Sequence, residues 1–139
     1  MLVLDTDHLT ELGYDRPRGR RLAARLEASG IAAVTTIVSV EEQLRGWLAR
    51  IARITDVHHQ VVAYAELGAR VNFLAAFTFV PWDDEAATTF KQFRKQGVRI
   101  ATMDLKIACI ACAHDALLLT GNAKDFAKVP GLRFESWLE

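Results

Sequence analysis

Five short apolar runs constrain this chain more than any other feature. Residues 1–4 (MLVL), 31–37 (IAAVTTI) and 116–120 (ALLLT) are brief and almost uniformly apolar, so each reads as a strand buried on both faces. Residues 78–82 include Pro81, which cannot donate to a sheet ladder, and residues 132–137 are more mixed; both suit edge strands. Helical segments lie between them. Residues 16–29 have Pro17 at a favourable helix start, Leu22 and Leu26 on one face, and Gly30 as a stop. Ser39-Val40-Glu41-Glu42 matches an S-x-x-E capping box, and Val40, Leu44, Trp47, Leu48 and Ile51 then follow the helical repeat. Further helices are expected over residues 58–77, over 83–96, and from Asp104 onward through the apolar LKIACIACAHD. Short apolar strands alternating with helices predict an α/β fold with a mostly parallel sheet of four to five strands.

The chain has 139 residues, which suits one domain spanning 1–139 with room for a real core. Its 51% hydrophobic and 24% charged content excludes disorder. Lys+Arg and Asp+Glu balance at 17 each, so any polyanionic partner must be met by a local site rather than by bulk charge. No apolar run reaches the ~18 residues of a membrane span, and in MLVLDTDHL the charge follows the apolar stretch, unlike a secretory leader. Cys109 and Cys112 fall on one helix with no second ligand pair, which is a weak zinc signal and a better fit to buried, reduced thiols. The expectation is a cytoplasmic protein with no membrane partner.

The functional signal is where the acids fall. Asp5 closes the first strand, Glu42 lies in the first turn of the helix after the second, and Asn122 and Asp125 follow ALLLT. In open α/β sheets, ligands bind beyond the carboxyl ends of the strands, where strand order reverses. Asp104 can join these groups if its helix points into the same crevice. Carboxylates ~4 Å apart repel by several kcal/mol at an effective dielectric near 20, so such a cluster needs a cation. An all-oxygen donor set favours Mg²⁺ or Mn²⁺, and the chemistry it suits is hydrolysis of a phosphate ester. Each acid also has a plainer reading. Asp5 could be a turn residue, the capping box accounts for Glu42, Asp104 could be an N-cap, and Asp125 could cap a turn.

Four segments sharpen the reading: LDTDHL (4–9), TIVSVEEQLRG (36–46), MDLKIACIACAHDALLLTGNAKDF (103–126) and VPGLRFESW (129–137). In this order and spacing the chain resembles the PIN-domain ribonucleases, and among them the VapC-type toxins of toxin–antitoxin pairs. The resemblance implies a three-layer α/β/α fold. It also implies a Mg²⁺- or Mn²⁺-dependent endoribonuclease, with the metal held by Asp5, Glu42 and Asp104. The fourth position falls in TGNAKDF, where many relatives carry an acid and this chain has Asn122; the role is divided between Asn122 and Asp125, with Asp125 the metal ligand of the two. Asp7 stands where the family often has Asn, and either adds charge or caps the next helix. Thr6 or Thr120 would bond the phosphate or a carboxylate. The family's reaction is attack of water on an RNA phosphodiester, leaving a 5′-phosphate and a 3′-hydroxyl. A homodimer is implied, and an antitoxin that covers a groove beside the site.

RNA must still be drawn to a neutral protein. Arg16, Arg18, Arg20, Arg21 and Arg25 form a run with no acid among them, which suits either phosphate tracking or a solvated helix face. Arg45, Lys106 and Lys124 lie nearer the acids in sequence. His8 reads as a structural hydrogen-bonding residue and Trp47 as core, while Trp82 and Trp137 suit core or interface. Two other readings stand beside the nuclease. One is a nuclease-dead PIN-like binding module, for which Asn122 is the discriminating feature. The other is a haloacid-dehalogenase-like phosphatase using Asp5 as nucleophile and Asp7 as acid.

Overall fold

The computed structural model describes residues 1–138. The chain runs β1 (Leu2–Leu4), α1 (Thr6–Leu12), α2 (Pro17–Ser29), β2 (Ala33–Thr36), α3 (Ile37–Ala52), α4 (Gln60–Ala75), β3 (Phe79–Val80), α5 (Asp84–Lys95), α6 (Thr102–Ala113), β4 (Leu117–Leu119), α7 (Ala123–Phe126) and β5 (Arg133–Glu135). The five strands form one sheet in the order β3-β2-β1-β4-β5, with every pairing parallel. The two runs expected at edges, around Phe79 and Phe134, do form the edge strands.

Alternation along the strands separates the layers. Val3 and Leu118 point into a core shared with Ala86, Phe93 and the buried residues of α6. Leu2, Leu4 and Leu119 point to the opposite face, where Leu9 of α1 and Leu74 of α4 cover them. Helices on both faces give the three-layer α/β/α arrangement. In α6, residues from Leu105 to Ala111 are almost all buried, because this helix fills the space between the sheet and α5.

Three local expectations need correction. Residues 31–37 were expected as one strand, but the strand ends at Thr36 and the helix starts at once. Thr36 is the N-cap: its Oγ1 accepts from the Ser39 backbone N–H at 3.0 Å, while Ser39 is buried in the first turn. The β-branched Ile37 and Val38 favour a strand locally, but the Thr cap and the burial of Val38 override that preference. Glu42 therefore sits in the second turn of α3, and no capping role accounts for it. Asp104 is not an N-cap either; α6 begins after Ala101, which makes no side-chain cap, and Asp104 is in the first turn. Finally, Trp47 is not core. It is half-buried and Leu48 is 58% exposed, although Ile51 one turn later is buried, so only part of the apolar stripe of α3 packs inward.

Candidate metal centre

β1 is the centre of the sheet, with β2 and β3 on one side and β4 and β5 on the other, so strand order reverses between β1 and β4. The register Leu4↔Leu119 sets Asp5 beside Thr120 just past both strand ends. The Asp5 N–H donates to the Leu119 carbonyl at 2.9 Å, and the Thr120 hydroxyl donates to Asp5 Oδ2 at 2.6 Å. Asp5 also caps α1, with Oδ1 accepting from the Thr6 N–H at 2.7 Å. An acid that is only 6% exposed is thus fixed by two donors and by the strand itself.

Glu42 reaches the same point from α3. Thr6 Oγ1 donates to Glu42 Oε1 at 2.9 Å, so one threonine bridges the first and second acids. Asp104 enters from α6, the first turn of which faces the crevice, and makes no hydrogen bond or ion pair among the described residues. One oxygen from each of Asp5, Glu42 and Asp104 can be chosen so that all lie within 4.8 Å of one another. These acids come from three separate elements, and the switch point brings them together.

Their electrostatics are unfavourable without a counter-charge. Burial, opposed by the Thr120 and Thr6 donors and reinforced by Asp7 and Asp104, pushes the Asp5 carboxyl up to about 6. Burial and the neighbouring Asp5 hold Glu42 above its ordinary value. Asp104 is raised by burial, then by Glu42, Asp125 and Asp7. No Lys or Arg forms an ion pair with any of the three among the described residues. A cluster of oxygens without imidazole, thiolate or ammonium is what a hard divalent cation requires, so these residues fit such an ion.

The other expected residues distribute around this centre. Asp125 lies outside the group of three, but its charge acts on Asp104. Asn122 donates from Nδ2 to Asp125 Oδ2 at 3.1 Å, and its backbone N–H donates to Thr120 Oγ1 at 3.1 Å. Asn122 thus holds Asp125 in place and is itself held by the residue that holds Asp5. Both threonines bond carboxylates.

Asp7 neither caps α1 nor faces the three acids as a free charge. Oδ1 accepts from the His8 backbone N–H at 2.6 Å and lies 2.7 Å from His8 Nδ1, while Oδ2 accepts from the Gly121 N–H at 2.7 Å. Burial works against its charge, but the His8 ring and the Gly121 and His8 amides outweigh it and hold the carboxyl below its usual value. Both oxygens of Asp7 are thus taken up as acceptors, an arrangement that does not suit the free general acid of a dehalogenase-type phosphatase. His8 is fully buried, and its Nε2 accepts from the Trp137 N–H at 3.0 Å, which leaves the ring proton on Nδ1 to donate to Asp7. The expected structural role of His8 therefore acquires a specific form: it links the chain after β5 to the loop after β4.

The cations are less uniform than their sequence run suggests. Arg16 pairs with Glu11, Arg20 with Asp15 at 2.5 Å, and Arg25 stacks over Trp137 at 4.1 Å. Arg18 is exposed and lines a cleft of about 540 Å³ with Asp7, Gly121 and Asn122. Arg45 pairs with Glu41, and Lys106 sits 5.6 Å from the Trp82 ring. Lys124 is exposed on α7 and forms no ion pair among the described residues.

The profile of the PIN domain family matches residues 2–132. Ribonuclease VapC1 of Rickettsia felis is 27% identical over 135 residues, covering 94% of this chain and 92% of that protein. Ribonuclease VapC1 of Haemophilus influenzae is 41% identical over 44 residues, but that match spans only 32% of this chain and 33% of the relative. The toxin–antitoxin complex from Klebsiella pneumoniae contains a chain of the same fold, with a TM-score of 0.67, 22% identity and 95% of each chain covered.

Proposed function

This chain belongs to the PIN domain family, and from that premise we propose that it is a metal-dependent endoribonuclease acting as the toxin of a toxin–antitoxin pair. The observation that carries the proposal is the convergence of Asp5, Glu42 and Asp104 within 4.8 Å at the switch point of the sheet. Mg²⁺, with Mn²⁺ as substitute, is the ion proposed for these residues, with Asp125 as a further ligand or, failing that, Asn122 holding a water. The chemistry such an ion supplies is the acidification of water and the stabilisation of negative charge on a phosphoryl oxygen.

The chain's own residues do the rest. Thr120 and Thr6 fix the carboxylate planes of Asp5 and Glu42, so that little reorganisation is needed when substrate arrives. Asn122 holds Asp125, whose charge acts on Asp104, so this pair would add an oxygen ligand or an amide contact for water at the edge of the three acids. Arg18 offers a phosphate contact in the adjoining cleft, and Arg16, paired with Glu11 outside that cleft, is a weaker candidate for a second. Arg45, Lys106 and Lys124 extend the cationic rim, and together these contacts position a strand whose bulk attraction to a neutral protein is small.

The proposed partners follow from two surfaces. Leu48, Val61 and Val62 are each more than half exposed on α3 and α4, an apolar patch suited to a homodimer contact. A groove of about 400 Å³ lined by Ile37, Val40, Leu44, Trp82 and Lys106 suits apolar side chains of an antitoxin. No helix among the described residues is long and apolar enough to cross a membrane, and the proposed location is the cytoplasm. The test is cleavage of a mixed-sequence single-stranded RNA. Cleavage in Mg²⁺ or Mn²⁺ that is abolished by EDTA and by Asp5→Asn is expected. Intact RNA with either ion, or cleavage that survives Asp5→Asn, overturns the proposal.

A further inference from the structure

We infer that the cleft beside Glu42, between α1 and α3, is a nucleobase subsite that receives an unpaired base of the RNA through stacking on Trp47. The inference rests on the nuclease reading and adds where the strand runs past the acids. The cleft has a volume of about 290 Å³, and Glu42, the second acid of the metal centre, forms part of its wall. The cleft therefore adjoins the metal centre through this shared side chain.

Its lining is unlike an ordinary surface groove. Trp47 and Tyr14 both contribute to it, and neither is packed away: Trp47 is half-buried and Tyr14 is 40% exposed. Guanidinium groups lie over both rings: Arg50, which lines the cleft and pairs with Glu66 at 3.3 Å, is 4.8 Å from the Trp47 centroid, and Arg16, outside the lining and paired with Glu11, is 4.6 Å from that of Tyr14. Aromatic faces interleaved with arginines are the combination that binds single-stranded nucleic acid, because every base has a face to stack and every linkage a charge to meet.

Two further residues give the cleft room and a polar edge. Gly46 lies in the middle of α3, where glycine costs about 1 kcal/mol relative to alanine. A Cβ there would meet nothing within 4 Å, so packing within the protein does not require the glycine, and the space above it belongs to the cleft. Gln43 donates from Nε2 to Thr10 Oγ1 at 2.6 Å, which fixes the amide and turns its Oε1, unbonded among the described residues, into an acceptor for a base N–H.

Binding of mixed-sequence single-stranded RNA and of a ribose-phosphate oligomer of equal length without bases is measured for the full chain, in the Asp5→Asn background to prevent cleavage. Trp47→Ala is expected to weaken RNA binding roughly 5- to 100-fold, the range for loss of one base–aromatic stack. Trp47→Phe should recover most of that loss, and base-free oligomer binding should not change. Gly46→Leu, whose Cβ meets nothing within 4 Å and whose side chain extends into the cleft, should weaken RNA binding while the better helix former raises thermal stability. RNA affinity unchanged by both Trp47→Ala and Gly46→Leu overturns the subsite. So does an equal loss for the base-free oligomer, or dissociation of a dimer with RNA affinity intact, which would assign the cleft to a second copy of the chain. The two readings fail separately: binding that depends on Trp47 in a protein that cleaves nothing leaves the subsite and removes the nuclease, and cleavage indifferent to Trp47 does the reverse.

Discussion

Thr120 donates its hydroxyl to Asp5 Oδ2 at 2.6 Å, across 115 positions of sequence and one strand pairing. The bond is buried, and the same Thr120 oxygen accepts from the Asn122 N–H, so a single side chain aligns the first acid and the loop that carries the last two. Thr120→Val keeps the shape and removes the hydroxyl. A hydrogen bond to a charged group contributes about 1.5–3 kcal/mol, so the variant should lose roughly that much stability at pH 8 by denaturant unfolding. Its Asp5 carboxyl should titrate higher still, moving the acid limb of the RNA-cleavage profile upward. A profile that stays in place contradicts this role.

The acids themselves make the metal-free protein pH-sensitive. Asp5 has a folded value of about 6 against an ordinary value of 3.8, so the folded state binds the extra proton between those limits. Stability from this group is gained as pH falls through 6 and is complete below about 4, and it is absent at pH 7. Asp7 has the opposite sign: its lowered value contributes stability above the ordinary carboxylate range that is lost as pH falls below it. Calorimetry in EDTA should therefore show a higher Tm at pH 5 than at pH 7.5. Added Mn²⁺ should raise Tm at pH 7.5 by more than at pH 5, because protons and metal compete for the same oxygens. A metal-free Tm that rises steadily from pH 5 to 7.5 would count against the clustered acids.

His8 is expected to carry its proton on Nδ1, since Nε2 accepts from Trp137. Long-range ¹H–¹⁵N spectra report the tautomer directly, and a proton on Nε2 would refute the link. His8→Asn keeps a donor in the Nδ1 position for Asp7 and loses the Trp137 contact, whereas His8→Gln does the reverse. The first should therefore retain more RNA cleavage than the second, because Asp7 and Gly121 adjoin the acids and Trp137 does not.

Gly121→Ala places a Cβ 2.9 Å from Asp7 Oδ2. The carboxylate or the loop must shift, and the Gly121 N–H bond to Asp7 is lost with it. A loss of about 1–3 kcal/mol in stability is expected, together with reduced cleavage. Asp7→Asn in the same background should recover little, because the clash is steric rather than electrostatic.

The strands, their parallel pairing and the acids at their ends were legible because buried parallel strands are short apolar runs and sites lie where those runs stop. The three acids could be named together mainly through the family resemblance. On spacing alone, Glu42 was explained by a cap that Thr36 in fact provides, and Asp104 by a cap that α6 lacks. The bounds of α1 are not legible because its seven residues carry too little periodicity, and its cap is Asp5 itself rather than Asp7. Nothing in LDTDHL announces that Asp7 would be taken up by His8 and Gly121, since that bracket depends on a loop more than a hundred residues away. Trp47 fits the helical stripe as well as any core residue does. Only the packing of α3 against α1 shows that Trp47 lines the cleft while Ile51 of the same stripe is buried.

The account's central claim is that Asp5, Glu42 and Asp104 act together on one divalent ion. Titration of the metal-free protein with Mn²⁺, followed by the loss of the free-ion electron paramagnetic resonance signal, tests it most directly. Saturable binding is expected in the unmodified chain at pH 7.5, weakened at least tenfold by each of Asp5→Asn, Glu42→Gln and Asp104→Asn. Absence of binding in the unmodified chain, or unchanged affinity in Asp104→Asn, would contradict it.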